Sequence, residues 1–192
     1  MSRRPPRWII EVVETLALTL LTFFIIQTFV AQPFQVRQTS MEHTLEPDEY
    51  VLVDKLTPRF DPYQRGDIVV LQPPEGWEDE HRTPFIKRVI GLPGDRVQIG
   101  EDGLVYVNGT ALDERAYTFR DEAGANEPTN AQGEGSAWTI GPDQLFVMGD
   151  HREGSVDSRS FGPVTAASVV GRAFLRYWPA STIGVLTRPA YP

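Results

Sequence analysis

A chain of 192 residues with 16 Pro, 16 Gly, no Cys and a formal net charge of −8 has room for one ordinary domain beside a short anchor, and not for two large domains. The missing Cys excludes disulfides, thiolate metal sites and Cys nucleophiles, although exported domains without disulfides are common enough that it fixes no compartment. The excess of acid argues against a nucleic acid partner, because phosphate-backbone binding runs on Lys and Arg.

The first element is an apolar run from Trp8 to Val30. A helix of that length reaches roughly 35 Å and spans a hydrocarbon core of about 30 Å with some tilt. It continues through Phe23, Phe24, Ile25 and Ile26, and no Ala-x-Ala follows, so it reads as a retained anchor and not as a cleavable leader, whose apolar part is about 7 to 15 residues. Glu11 and Glu14 share a face near the Arg-bearing end, where carboxylates reach the interface and avoid the cost of about 2.5 to 3.5 kcal/mol at mid-bilayer. Arg3, Arg4 and Arg7 outnumber these two glutamates, which gives residues 1–30 a charge of +1 and leaves −9 for the remainder. That asymmetry places residues 1–7 in the cytoplasm as a short tail, 8–30 in the membrane and everything after Val30 outside.

Beyond Pro33 the chain reads as short strands broken by turn residues. Tyr50–Val53, Asp67–Leu71, Val97–Ile99 and Leu104–Val107 are the clearest. Asn108-Gly109 after the last of these predicts a tight type I′ hairpin, and that turn accounts for the Asn108-Gly109-Thr110 sequon without a sugar. Pro73–Thr83 reads as a surface loop carrying Trp77, and Arg120–Ala137, rich in Gly, Glu, Asn, Ala and Pro, as a mobile excursion with no chemistry of its own. Val169–Trp178 is a strand too short and too charged to be a second span. The layout expected is a β-rich domain over residues 31–184, with a smaller insertion at 101–140 holding the hairpin and the mobile loop, and a C-terminal tail at 185–192.

No Gly-x-Ser-x-Gly elbow and no His-Glu-x-x-His motif is present. His43, His81 and His151 lie in polar, turn-like contexts and are poor candidates for a general base. Lys87 differs, because Phe85, Ile86, Val89 and Ile90 surround it and period-two geometry puts Phe85, Lys87 and Val89 on one face. Burial there would disfavour the ammonium, and a neutral amine can take the proton of a Ser hydroxyl. On pattern alone Lys87 is equally a strand residue whose stem packs while its ammonium reaches water, and Ser40 equally a turn or cap residue.

Four boxes in order after the anchor change that balance: Ser40-Met41, Arg65-Gly66-Asp67, Lys87 to Asp95, and Gly149 to Gly162. With them the chain resembles the bacterial signal peptidase I family from the anchor to about Gly184, leaving only the Trp77 loop and Arg120–Ala137 outside. The resemblance implies a mostly β fold, a two-sheet antiparallel catalytic domain carried by one N-terminal transmembrane helix. It implies Ser40 as nucleophile, Lys87 as general base, Ser155 as a hydrogen-bond partner of that Lys, and Asp157 and Arg159 as braces. It implies a substrate-binding surface similar to Phe34, Val36, Gln38, Met41, Leu45, Ile86 and Met148, cleavage of preprotein signal peptides after small-x-small sites, and no metal or cofactor. A monomer in the bacterial plasma membrane follows, single-pass, with its catalytic domain extracytoplasmic. The chain departs from the family at His43 for Pro, Gln38 for Ser or Gly, His151 for Asn, and Glu153-Gly154 for Asp-Asn, so a contribution of the Gln38 side chain to an oxyanion hole is not implied. Two other readings carry less of the sequence: a self-cleaving Ser-Lys protease, which would bring a DNA-binding segment, and an anchored non-catalytic β module that binds peptides.

Overall fold

In the computed structural model of the chain, residues 6–74, 77, 83–121, 123–133 and 135–191 are described. Arg3, Arg4 and most of the expected tail, together with His81, lie outside them. Helix α1 (Arg7–Ile25) continues as a π-helical turn over Ile26–Val30. None of its residues is buried, and so long a mostly apolar and bare surface is compatible with a lipid surround. Among the described residues it is the one helix long and apolar enough to cross a membrane. Thr15 and Thr19 return their hydroxyls to the carbonyls of Glu11 and Thr15 (both 2.8 Å), so neither depends on water for a partner.

The helix runs directly into strand β1 (Ala31–Gln35). Lys55 fastens the junction, its N–H on the Val30 carbonyl (2.8 Å) and its ammonium 3.4 Å from the Gln27 carbonyl, a cation at a helix C-terminus. The remaining strands are β2 (Tyr50–Asp54), β3 (Ile68–Leu71), β4 (Phe85–Gly91), β5 (Arg96–Ile99), β6 (Val105–Val107), β7 (Thr110–Ala111), β8 (Ala137–Thr139), β9 (Gln144–Met148), β10 (Val164–Thr165), β11 (Val169–Trp178) and β12 (Gly184–Val185). Among the described residues they form two antiparallel sheets. The larger runs β1-β2-β11-β3-β4-β9-β10 with β12 on β11, the smaller β7-β6-β5-β8. The mostly β, two-sheet antiparallel architecture is thus the one the sequence implied.

Strand β4 is buried along its whole length and sits between β3 and β9. Its odd residues Phe85 and Val89 pack with Val69, Leu71, Val147 and Val164, while Ile86 joins a second cluster with Val36, Met41, Val51 and Val53. Ile90 belongs to a third, with Val97, Ile99, Val105 and Phe146, where the small sheet meets the large one. The Asn108-Gly109 turn has φ +52 and +82 at its two residues, as a type I′ hairpin requires, and pairs Val107 with Thr110.

Two segments sit differently from their sequence reading. Trp77 is no surface residue: it is 8% exposed and packs its ring 6.4 Å from Phe85 and 5.1 Å from Phe161. The C-terminal residues are docked: β12 pairs with β11, Leu186 packs against the Val36 cluster, and Tyr191 packs against the Ile90 cluster and meets the Tyr117 hydroxyl at 3.0 Å.

Candidate active site

Ser40 is the middle residue of a 3-10 turn, Thr39–Met41, that follows β1. The turn is pinned on both sides. Before it, Val36 exchanges backbone hydrogen bonds with Glu49 and Asp48 (both 2.8 Å); after it, Met41 and Leu45 are buried in the Val36 cluster. Ser40 is 4% exposed and its hydroxyl donates to the Ile86 carbonyl (3.4 Å), one residue before Lys87. Its own carbonyl accepts from the His151 N–H (3.1 Å), while its N–H, at the head of the turn, has no partner among the described residues. Amides in the first turn of a helix are left free in this way.

Lys87 is 2% exposed, so its ammonium does not reach water, and the amine lies 5.3 Å from the centre of the Phe85 ring. Burial pushes the amine down to about 8; Asp157 and Asp150 oppose that shift and the Arg159 charge adds to it. Ser40 and Lys87 line one cleft of about 530 Å³ together with Gln38, Trp77, Phe85, Val156 and Phe161. A buried amine that is largely neutral at mildly alkaline pH, in one cleft with a hydroxyl, supplies a base and a nucleophile.

The floor of the cleft is a charge network. Asp157 is fully buried and accepts two bonds from the Arg159 guanidinium (2.8 Å each), one from the Gly149 N–H (3.0 Å) and one from the Ser155 hydroxyl (2.8 Å). Burial works to raise its carboxyl, but these bonds and the Arg159 and Lys87 charges hold it below the usual carboxylate range. Asp157 also caps α2 (Ser158–Phe161) through the Arg159 N–H. Gly149 closes the packing: a β-carbon there would stand 2.3 Å from the Ser155 hydroxyl and 2.5 Å from the Ser40 carbonyl.

Comparison with known proteins gives the family. A family profile described as "Signal peptidase, peptidase S26" matches residues 9–178. The chain belongs to the signal peptidase family, peptidase S26. A probable signal peptidase I-2 from Synechocystis sp. is 36% identical over 189 residues, 97% of this chain and 81% of that protein. Signal peptidase I P from Bacillus subtilis subsp. natto is 32% identical over 183 residues, 95% of this chain and 96% of that one. A crystal structure of a signal peptidase I from Enterococcus faecalis V583 is 31% identical and covers 58% of this chain and 97% of that one, with a TM-score of 0.41. The protein is therefore a hydrolase, a serine endopeptidase.

Of the residues the sequence singled out in this peptidase, the structure brings Ser40, Lys87, Ser155, Asp157 and Arg159 to one place. The Ser155 hydroxyl donates a hydrogen bond to Asp157 (2.8 Å). Val36, Gln38, Met41 and Ile86 line a narrow recess beside Ser40, and Phe34 an adjoining hollow with Ile86. Leu45 lies beneath the recess in the Val36 cluster, and Met148 is buried in the Ile90 cluster away from the cleft. His43 adopts φ +79, a conformation closed to the Pro common in the family.

Trp77, Val156 and Phe161 line the cleft without having been given a role from sequence. Val156 and Phe161 fall inside the last box, so the box was a usable signal for them; Trp77 had none. Arg88 was likewise passed over. Its guanidinium makes a two-point pair with Asp150 (2.8 and 2.6 Å), bonds the Gly66 carbonyl (2.9 Å) and lies 4.2 Å from the centre of the Tyr117 ring.

Proposed function

We propose that this peptidase removes signal peptides from exported preproteins at the membrane surface by a Ser40–Lys87 dyad. The carrying observation is the full burial of Lys87, with its amine pushed down to about 8, in the cleft that also holds Ser40. Neutral Lys87 takes the Ser40 proton as the oxygen attacks the scissile carbonyl, and returns it to the leaving amine. Water then hydrolyses the acyl-enzyme with Lys87 again as base. The Ser40 N–H, without a partner among the described residues, donates to the oxyanion, an interaction typically worth about 3 to 4 kcal/mol. Ser155, Asp157 and Arg159 hold the floor against which Lys87 packs.

Specificity for small-x-small sites is supported by the narrow recess beside Ser40, lined by Val36, Gln38, Met41 and Ile86. Residues 8–30 anchor the enzyme, with the N-terminus cytoplasmic, residues 31–184 as an extracytoplasmic catalytic domain, and the chain acting as a monomer. The test is cleavage of an Ala-x-Ala preprotein by the full-length chain in detergent, beside Ser40→Ala and Lys87→Ala, with the product N-terminus sequenced. Cleavage after the last Ala, lost in both variants, is the expected result. Cutting by either variant would remove that residue from the dyad.

A further inference from the structure

Segment 114–132, which overlaps the stretch Arg120–Ala137 read from sequence as an excursion without chemistry, is bonded at several points to the loop after β9. Glu114 pairs with both terminal nitrogens of buried Arg152 (2.9 and 2.6 Å), and Thr129 bonds the same guanidinium. The Phe119 N–H donates to the Asp150 carbonyl (3.0 Å), Gln132 donates to the Ser155 carbonyl (3.1 Å), and Glu127 accepts from the Glu153 N–H (3.1 Å). The His151 imidazole stands where these meet. It stacks on Phe119 at 4.2 Å with the planes 18° apart, and a β-carbon on Gly154 would stand 2.7 Å from its Nδ1. Its two nitrogens face two carboxylates from different segments: Nδ1 lies 2.7 Å from Glu42, two residues past Ser40, and Nε2 lies 3.6 Å from Glu127. The backbone N–H of the same residue holds the Ser40 carbonyl (3.1 Å).

We propose that His151 is a positioning residue for the peptidase reaction, keying segment 114–132 to the nucleophile turn so that Ser40 and its N–H are held for attack. This rests on the reading of Ser40 as nucleophile. His151 meets the turn at two points, its backbone N–H bonded to the Ser40 carbonyl and its ring beside the Glu42 carboxylate, while Phe119 stacks on the ring and Glu127 lies beside its other nitrogen. Loosening any of these contacts frees the backbone of Ser40, and with it the N–H that serves as the oxyanion donor. Substrate contacts, on the other side of Ser40 among Val36, Met41 and Ile86, are left in place. The family's usual Asn at this position offers no second ring edge and no face to stack on Phe119, so the device belongs to chains that carry both His151 and this segment.

The experiment is a double-mutant cycle on the full-length chain in detergent, cleaving an Ala-x-Ala preprotein. His151→Phe keeps the ring on Phe119 and removes both nitrogens; Glu127→Gln removes one charge from a half-buried site. Turnover is expressed per folded molecule by near-UV circular dichroism. Each single variant is expected to lower kcat about tenfold with KM within twofold of wild type, and the double variant to be no slower than the slower single. Unchanged kcat per folded molecule, a change carried by KM, or effects that multiply would overturn the proposal. Ser40→Ala is run alongside: if it still cuts, the nucleophile reading has failed, whereas an inert Ser40→Ala beside fully active His151→Phe condemns only the positioning role.

Discussion

As the proposed general base, Lys87 serves chemistry at the expense of stability. Its ordinary pKa near 10.5 falls to about 8 in the folded chain, first through burial. Under the proposed mechanism the rate should climb with pH through an apparent pKa of about 8 and level off above it, as a pH profile of kcat/KM on a peptide substrate would show. A second profile that fell across the same range would make Lys87 an acid in the rate-limiting step. Between 8 and 10.5 the unfolded chain binds more protons at this residue than the folded one, so stability rises with pH there; below 8 the fold carries a buried ammonium. Lys87→Met should therefore be inactive yet melt roughly 5 °C higher at pH 7, with the gain gone above about pH 10.5. Thermal unfolding at both pH values checks it. Asp157 has the opposite standing: Asp157→Ala leaves the Arg159 guanidinium buried and unpaired, which should cost about 3 to 5 kcal/mol, read as loss of the folded state in the same melts.

At the scale of elements, β4 and the loop after β9 make the site. A strand with no exposed residue presents Ile86 to one core, Phe85 and Val89 to another, and leaves Lys87 open only towards the cleft. The alternation of Phe85, Lys87 and Val89 was legible in the sequence, because strand geometry is local and its period is two. Whether that face was wet or dry was not legible, since burial depends on Trp77 and Phe161, which no short-range pattern connects. Trp77 was read as a loop residue for the same reason: its neighbours are polar, and only the folded chain supplies Phe85 and Phe161 as its surroundings. The contacts of segment 114–132 are not legible in the sequence because they are scattered polar contacts of Glu114, Thr129 and Gln132, with no hydrophobic period to announce them. Gly149 after β9 could be read as part of a box but not as a clearance. Gly149→Ala should abolish turnover by moving the Ser40 carbonyl or Ser155, with the melting temperature lowered by only a few degrees. Wild-type activity in that variant would mean the loop can recede without disturbing the nucleophile.

For the molecule as a whole, the C-terminal strap joins what the sheets leave separate. Leu186 packs against the Val36 cluster and Tyr191 against the Ile90 cluster, while Arg188 lies 3.4 Å from buried Asp67. Ending the chain after Val185 should lower the melting temperature and loosen amide exchange in both clusters together, measurable by hydrogen exchange, because one segment serves both. The junction at the other end is stiffer still. Val30 passes into β1 without a linker, and Lys55 is bonded to the helix on both its backbone and its side chain. Ten residues from Val30 to Ser40 span at most about 35 Å even fully stretched, and here they cannot swing. The proposed nucleophile, Ser40, thus rides in the proposed topology at a set altitude above the lipid, like a blade on a fixed post. In the proposed topology it is the preprotein that must rise to meet it, so the stretch between its apolar segment and its cut site is gauged by the enzyme's own architecture.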